Sequence, residues 1–318
     1  MTRDLALGGR VAFVVLLVVL PWVLNSYWIN LLTLALIYSL AVYSINLLTG
    51  FAGLLSFGQA AFFGAGAYFT GIAIGRYGVP WFAAVPIAVL LSTGLAAAIG
   101  IVSTRTRGIY FSMVTLALAQ LVYYVALQAS SFTGGENGLR GFTVDRISLF
   151  GFPVNFLDPV NKYYVLMAFA ALAMWFQLRI LNSPFGAVIE AIRENEQRAR
   201  ACGYDVERSK LIVFMLSGAI SSLGGCMLAL HLSIVPLDLL HYQTSGMIVM
   251  MVLLGGARSF FGPFVGAASF LILEDVISLW TPHWQIFVGA IFVLFVLFLP
   301  KGIWGTLLDT LGIGKARP

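Results

Sequence analysis

Acidic and imidazole side chains are the residues best suited to chemistry in this largely apolar chain. Glu274 and Asp275 interrupt the run "FVGAASFLILEDVISLW", and carboxylates inside a membrane span often serve a function. Neighbouring helical residues point about 100° apart, so the two do not form a paired acid–base site; alternatively, both lie in the outer part of the span and face water or loop cations. His231, Asp238 and His241 lack metal-site spacing, and no nucleophile has a base beside it. We expect neither catalysis nor a metal site.

Two glycine-rich stretches raise the question of nucleotide binding. The stretches "TGGENGL" (133–139) and "GIGKARP" (312–318) both fail the phosphate-loop pattern. We therefore expect no nucleotide site and no cofactor in this chain, so any ATP and Mg²⁺ would be bound by another polypeptide. The first stretch is predicted to be a turn where solute enters, formed by Thr133, Gly134, Gly135, Asn137 and Gly138.

A third chemically distinctive stretch is "EAIRENEQRARACGYDVERSK" (190–210), which holds ten of the chain's 18 basic and 13 acidic residues. The preceding residues predict a helix that Ser183 caps and Pro184 begins, and Gly203 is expected to end it. One apolar stripe is expected at helical spacing, formed by Phe185, Val188, Ile189 and Ile192. Three ion pairs are spaced to form along the helix: Glu190–Arg193, Glu194–Arg198 and Glu196–Arg200.

Two interpretations of this helix remain open from spacing alone. It is either an ordinary solvated loop helix or a docking helix for a soluble partner, with an apolar half as anchor and charges that set orientation.

The elements around these residues are membrane spans. The chain is 60% hydrophobic and 10% charged, whereas about a quarter of a soluble protein's residues are charged. Long, continuous apolar runs favour an all-α bundle over a barrel. Ten runs are predicted: 11–25, 29–48, 59–75, 81–103, 109–129, 163–181, 211–232, 244–257, 264–281 and 284–299.

The distribution of basic residues orients these ten spans. With both termini inside, the inner segments hold 14 Lys and Arg residues and the outer segments hold four, as expected for cytoplasmic loops. We therefore predict one transmembrane domain over 1–318, a cytoplasmic loop at 182–210 and an outer loop at 130–162. The run 244–257 is short enough to be a broken or re-entrant element.

Two glycine-rich apolar segments could interrupt helices. They are "GFAGLLSFGQAAFFGAGAYFTG" (50–71) and "GGARSFFGPFVGA" (255–267). Small residues permit close helix packing; alternatively, broken helices line a solute path. The candidate pathway residues are Gly53, Ser56, Gly58, Gln59, Phe62, Gly255, Gly256, Gly262 and Pro263.

Four motifs together resemble a known family. They are "TGFAGLLSFGQAAFFGAGAY", "TGGENGL", "NSPFGAVIEAIRENEQRARACGYDVERSKL" and "GGARSFFGPFVGA", and in order and spacing they resemble LivM-type permease subunits of branched-chain amino-acid ABC importers over nearly the whole chain. The glycine motifs are shared with ribose- and urea-type subunits. Gln59 stands where many relatives have His.

The resemblance implies a heteromeric assembly in a bacterial inner membrane. Its partners would be a second, related permease subunit, two cytoplasmic ATPase subunits and a soluble periplasmic or extracellular binding protein. It also implies an ATPase-coupling element in this chain, formed by Phe185, Gly186, Ile189, Glu190, Ala191, Ile192, Arg193, Glu194, Asn195, Glu196, Arg198, Arg200 and Gly203.

The expected function is ATP-driven import of branched-chain or other apolar amino acids by alternating access. Relatives with the same architecture handle urea, amides or aromatic acids, so those substrates remain alternatives. An ion-coupled secondary transporter using Glu274 or Asp275, or a passive channel, would explain the spans but not an amphipathic docking helix.

Overall fold

The structure, a computed structural model, describes residues 17–142, 146–149, 152–156, 158–299 and 301–310. Its helices are α1 Ser26–Ile45, α2 Gln59–Gly75, α3 Trp81–Ser103, α4 Ile109–Gln128, α5 Ser130–Thr133, α6 Pro159–Leu181, α7 Pro184–Glu194, α8 Glu196–Ala201, α9 Val206–Leu232, α10 Tyr242–Gly255, α11 Gly262–Ser278, α12 Trp284–Phe298 and α13 Gly302–Thr310. Strands β1 Arg146–Leu149 and β2 Phe152–Asn155 form an antiparallel hairpin. Short 3₁₀ helices span Leu20–Trp22, Gly135–Asn137 and Leu237–Leu240.

The helical membrane fold predicted from composition is confirmed. Six helical segments of the described chain are long and apolar enough to cross a membrane: Ser26–Ala52, Trp81–Ser103, Ile109–Gln128, Pro159–Leu181, Val206–Leu232 and Trp284–Leu307. The predicted runs 59–75, 244–257 and 264–281 form the shorter helices α2, α10 and α11. Of the run 11–25, residues 11–16 lie outside the described residues, and the described part contains the 3₁₀ helix Leu20–Trp22.

Helices α1, α2 and α9 form the centre of the bundle. Helix α2 packs against α9 and α3, and α9 also packs against α1 and α3. In α2, twelve of the 17 residues are buried, and none of the 17 is charged. By contrast, only four described residues of α4, five of α6 and one of α12 are buried, as expected for helices that face lipid or another subunit.

The α2–α9 crossing explains part of the first glycine segment. A Cβ atom on Gly66 would overlap the carbonyl oxygen of Ser222, and one on Gly225 would overlap that of Phe63. Small residues allow two backbones to approach this closely inside a membrane. At this crossing, the close-packing interpretation of the glycines is therefore the correct one.

Both glycine-rich segments break the helical path at the same end of the bundle. Helix α1 continues as π-helical turns over Asn46–Ala52 and ends at Gly53, whose φ of 70° is left-handed. An irregular segment, 54–58, then leads into α2. The second break is the turn 256–261 between α10 and α11, and it contacts the first break through Asn46.

The predicted outer loop lies at the opposite end of helix α4. Arg107, just before α4, forms an ion pair with Glu196 of α8. Helix α4 is 20 residues long, or about 30 Å, so the segment after it lies at the other end. This segment contains α5, a 3₁₀ turn and the β1–β2 hairpin.

Candidate coupling site

The charged segment folds as two helices, α7 and α8, separated at Asn195. The Asn195 backbone is extended, with φ −157° and ψ 100°, and its side-chain oxygen accepts a hydrogen bond from the Arg198 amide at 2.9 Å. Asn195 is thus the N-cap of α8, and the prediction of one continuous helix was wrong at this residue. Helix α8 ends before Gly203, whose φ is 88°, so the predicted stop is confirmed.

The start of α7 differs from the prediction in one respect. Pro184 opens the helix as expected, but the Ser183 side chain makes no capping hydrogen bond. Its hydroxyl donates instead to the carbonyl oxygen of Ile180 at 2.6 Å. The predicted Ser183 side-chain cap was therefore wrong: the hydroxyl is oriented toward the end of α6, and only the backbone carbonyl of Ser183 accepts from α7, from the Gly186 amide at 3.0 Å.

The apolar stripe of α7 packs against this chain. Ile189 is buried with residues of the π-helical turns, α2, α3, α4 and α9, and Phe185 packs at the edge of that cluster. Ile192 is buried against Ala199 and Val206, with Val188 beside them. The apolar half therefore anchors α7 to its own membrane helices, so it is not free to anchor a partner.

The opposite face of α7 and α8 is solvent-exposed. It presents Ala191, Glu194, Asn195, Arg198 and Arg200. A polar, charged face on an anchored helix is suited to a soluble partner, because charges at a contact set orientation and rate of association.

Arg193 joins α7 to the first helix break. Its guanidinium donates to the carbonyl oxygen of Gly50, and its aliphatic stem packs beside Gly53, where a Cβ atom would lie 2.8 Å from the Arg193 Cγ. Burial, followed by the charge of Arg258, lowers the pKa of Arg193, while Glu190 and Glu194 act in the opposite direction. The predicted Glu190–Arg193 pair is replaced by these contacts.

Glu190 joins α7 to the second helix break. Its carboxylate lies 2.6 Å from Nη2 of Arg258, with both side chains about half exposed. Arg258 has a left-handed φ of 69°, a conformation that is costly for a residue with a Cβ atom and is concentrated at functional sites. Its amide donates to Asn46 Oδ1 at 2.8 Å.

Asn46 joins the two breaks to each other. Besides accepting from Arg258, its side-chain amide donates to the carbonyl oxygen of Ser259 at 3.2 Å. Nearby, the Tyr43 hydroxyl donates to the carbonyl oxygen of Phe260 at 2.6 Å. Tyr43 at the end of α1 and Asn46 in the π-helical turns thus hold the α10–α11 turn, and α7 contacts both breaks.

Glu196 organises a second group of charges at the start of α8. Its carboxylate lies 2.7 Å from Lys210, which is 6% exposed, 3.1 Å from Arg107 and 3.5 Å from Arg200. Burial favours the protonated acid, but the Lys210 hydrogen bond and the three positive charges together outweigh it and lower the pKa of Glu196. Of the three predicted helix pairs, only Glu196–Arg200 forms among the described residues.

In the first group of predicted pathway residues, Gly53 is exposed at the end of the π-helical turns, and the other four lie in the interior of the chain. Gln59 is fully buried, donates to Ser217 Oγ at 2.9 Å and accepts from Ser44 Oγ at 3.1 Å. Ser56 is fully buried and accepts from the Gly58 amide at 3.1 Å. Phe62 meets Phe214 edge to face, with 5.4 Å between ring centroids. A role in the solute path stays a prediction for these residues.

The second group, at the α10–α11 turn, is also buried. Gly255, Gly256, Gly262 and Pro263 have almost no exposed surface, and a Cβ atom on Gly255 would overlap the carbonyl oxygen of Gly262. These residues bring α10 and α11 together and hold the turn that carries Arg258.

The outer glycine stretch forms a compact turn. Thr133 Oγ1 donates to the carbonyl oxygen of Ala126 at 2.6 Å and accepts from the Gly135 amide at 3.2 Å. Leu139 then pairs with Val235 through two backbone hydrogen bonds of 2.9 Å. Gly138 lies in this paired segment and Asn137 is exposed, so the stretch is accessible from its own end of the bundle.

The remaining candidate acids and histidines are dispersed. Asp275 accepts a hydrogen bond from the Tyr27 hydroxyl, and neither it nor Glu274 has a cation partner among the described residues. His241 packs on the Tyr123 ring, with centroids 5.1 Å apart. Within the described ranges no three His, Cys, Asp or Glu side chains are grouped to hold a metal ion.

Sequence reasoning missed three residues of this site: Arg107, Lys210 and Arg258. Their partners are distant along the chain, so helical spacing gave no signal for them. The available signal for Arg258 was a lone charge inside a glycine-rich turn.

Fold and site together define a class: a multi-span α-helical membrane protein whose surface helix is attached to two interrupted helices. A model of the family described as "Branched-chain amino acid transport system / permease component" matches residues 27–297. The chain belongs to this family and is a permease subunit of an ABC importer.

The chain is also similar to individual permeases and to a solved structure. The chain is 27% identical over 314 residues to the high-affinity branched-chain amino acid transport system permease protein LivM of Escherichia coli, covering 92% of this chain and 73% of that protein. It is 27% identical to the E. coli ribose import permease protein RbsC over 225 residues, or 66% of each chain. A solved structure of PsaBC from Streptococcus pneumoniae in complex with Fab is 16% identical, with a TM-score of 0.43, and covers 89% of this chain and 94% of that one.

Proposed function

We propose that this permease subunit carries branched-chain or other apolar amino acids, and that α7 and α8 couple it to separate ATPase subunits. The family description and the LivM relatives support the amino-acid substrate. The ribose permease relative makes a sugar the first alternative to exclude experimentally.

One observation carries the coupling proposal: α7 contacts both helix breaks through Glu190 and Arg193. A partner that moves α7 therefore moves the end of α1 and the α10–α11 turn together. In this mechanism, ATP binding by the partner supplies the differential free energy, and this chain transmits it to an alternating-access change of the helices. The buried stripe around Ile189 makes α7 move as part of the bundle.

The proposed assembly follows from the position of the exposed charges. Two ATPase subunits, which hold ATP and Mg²⁺, bind at the α7 end, and the excess of basic residues supports a cytoplasmic position for this end in a bacterium. A related permease subunit lies against the exposed lateral helices, and a soluble binding protein delivers solute at the end with the turn 133–139. Both termini are then cytoplasmic.

The decisive experiment reconstitutes the complete transporter and compares two charge reversals. Arg198→Glu changes an exposed residue three positions after the Asn195 cap, and the control Arg208→Glu changes an exposed residue three positions after the Asp205 cap. We expect Arg198→Glu to reduce ATPase association and ATP-dependent leucine uptake about tenfold, equivalent to about 1.4 kcal/mol of binding free energy. Arg208→Glu should have a much smaller effect.

Two results would contradict the proposal in different ways. Normal uptake and ATPase binding in Arg198→Glu would exclude this face as the coupling surface. Accumulation of ribose, but not of leucine, isoleucine or valine, by the unmodified transporter would exclude the proposed substrate class.

A further inference from the structure

A cavity of about 240 Å³ lies directly behind the Glu190–Arg258 ion pair. Its walls come from α1, α6, α7 and the α10–α11 turn, so it lies among the elements that the proposed coupling mechanism moves. Its lining combines the ion pair with apolar and aromatic side chains, namely Tyr43, Phe51, Leu178, Leu181 and Phe260.

A buried polar group without a partner lines the same cavity. Gln177 is 3% exposed, and its side-chain oxygen has no hydrogen-bond partner among the described residues. Its amide nitrogen donates to the carbonyl oxygen of Tyr43 at a long 3.4 Å. A buried acceptor left without a donor is costly, so a ligand that supplies an N–H group is favoured at this point.

We propose that this cavity binds a free apolar α-amino acid from the α7 side and that the bound amino acid slows transport. The inference rests on the proposed function, since it assigns the transported class of solute to a second, regulatory site. The ligand carboxylate pairs with Arg258, its ammonium group with Glu190 and the Gln177 oxygen, and its side chain with Leu178 and Leu181.

The bound amino acid competes with the ion pair between Glu190 and Arg258, which is half exposed. Exposed pairs contribute little free energy, because water screens both charges, so a zwitterion that offers a partner to each of Glu190 and Arg258 can separate them. Separation releases α7 from the α10–α11 turn while Arg193 still contacts Gly50. Accumulated solute thus weakens one of the two links that transmit motion.

The test uses proteoliposomes of the complete transporter with the ATPase side outward and the binding protein and labelled leucine enclosed. ATP is added outside with millimolar leucine, leucinamide, which lacks the carboxylate, or 4-methylpentanoate, which lacks the ammonium group. We expect leucine to slow transport several-fold and the two analogues to have little effect.

Variants of the cavity wall separate regulation from transport. Leu178→Trp fills the cavity, Gln177→Met removes the unpaired oxygen, and Leu172→Trp is the control on the exposed surface of the same helix. The first two should transport normally without leucine outside but lose inhibition, whereas the control should retain it.

Equilibrium binding gives a readout that does not depend on transport. Labelled leucine should bind the detergent-solubilised complex without ATP or binding protein, and Leu178→Trp, but not Leu172→Trp, should abolish this binding. Equal binding and equal inhibition in all variants, or no binding at all, would overturn the inference. Absence of ATP-driven uptake in the unmodified transporter would instead count against the proposed function.

Discussion

Single residues at the α7 end of the bundle carry charges that are only partly exposed, and Glu196 is the clearest case. It compensates Lys210, whose ammonium group is nearly inaccessible to water, and also approaches Arg107 and Arg200. Removing one partner of a buried pair leaves the other charge uncompensated, which costs more than the intact pair contributes. The main structural role of Glu196 is therefore to neutralise Lys210 near the start of α9.

We predict that Glu196→Gln lowers the free energy of unfolding by about 1–3 kcal/mol at neutral pH, because Lys210 loses a charged partner. The pKa of Glu196 is lowered by folding from its ordinary 4.5. The contribution of its carboxylate is thus complete above that value and is lost as pH falls through the lowered pKa. Thermal unfolding of the solubilised chain across this range should show the difference between variant and wild type shrinking in acid.

A double variant provides the control for this residue. Glu196→Gln/Lys210→Met removes both charges and should recover most of the lost stability, since an apolar replacement of a buried pair is often neutral. A difference between wild type and Glu196→Gln that stays constant with pH would contradict the role given to the carboxylate.

At the scale of elements, the tight crossings between helices carry the strongest structural constraint. We predict that Gly225→Ala destabilises the chain by about 1–3 kcal/mol or more, because its methyl group would push the Phe63 carbonyl and separate α2 from α9. The matched control is Gly94→Ala in α3, where the new methyl group meets nothing within 4 Å. That change should be neutral or stabilise by up to about 1 kcal/mol.

Fluorescence-detected size-exclusion chromatography after heating measures both glycine variants. The expected order of thermal midpoints is Gly94→Ala at or above wild type, with Gly225→Ala several degrees below. If the two alanine variants behaved alike, the backbone contact at the α2–α9 crossing would not be limiting.

The helices, their breaks and the ion pairs between them show how far the sequence could predict the fold. Apolar runs located the helices because hydrophobicity along the chain is a local property, and glycines in 50–71 and 255–267 marked the breaks. Spacing along one helix predicted the Glu196–Arg200 pair. It failed for Glu190 and Arg193, whose partners Arg258 and Gly50 come from other helices, and such tertiary competition leaves no periodic signal.

The break at Asn195 and the failed Ser183 cap illustrate a second limit. Both residues are good N-cap types, and whether each side chain caps its helix depends on which groups lie within hydrogen-bond distance after folding. The Asn195 side chain accepts a hydrogen bond from the Arg198 amide, whereas the Ser183 hydroxyl donates to the carbonyl oxygen of Ile180. Candidate pathway residues such as Gln59 were chosen by motif, and their burial in a serine network is a property of the packed helices.

At the scale of the whole molecule, the two ends of the bundle differ in chemistry. One end contains α7, α8, both helix breaks and most of the basic side chains of the described residues, and the other carries the turn 133–139 and the hairpin. Positive charge is enriched on the cytoplasmic side of membrane proteins, so we expect α7 and α8 to face the cytoplasm. This orientation is required if the ATPase subunits are to bind there.

The native cysteines provide a direct test of this orientation. Cys202 is exposed just after α8, and Cys226 is buried in α9. A membrane-impermeant maleimide should therefore leave the chain unlabelled in intact cells and should label Cys202 once membranes are opened and washed free of peripheral subunits. Cys202→Ser should remove the signal, since Cys226 is inaccessible from either side.

A cysteine at the opposite end completes the experiment. Glu136 is exposed within the turn region after α4, so Glu136→Cys in a Cys202→Ser background should react in cells whose membrane is still closed. Labelling of Cys202 before the membrane is opened would place α7 and α8 outside, and no cytoplasmic ATPase could then reach them. Because Cys202 and Glu136 lie at opposite ends of the same helical bundle, the two results must be reciprocal, and labelling of both from one side would contradict the membrane-spanning arrangement of α4.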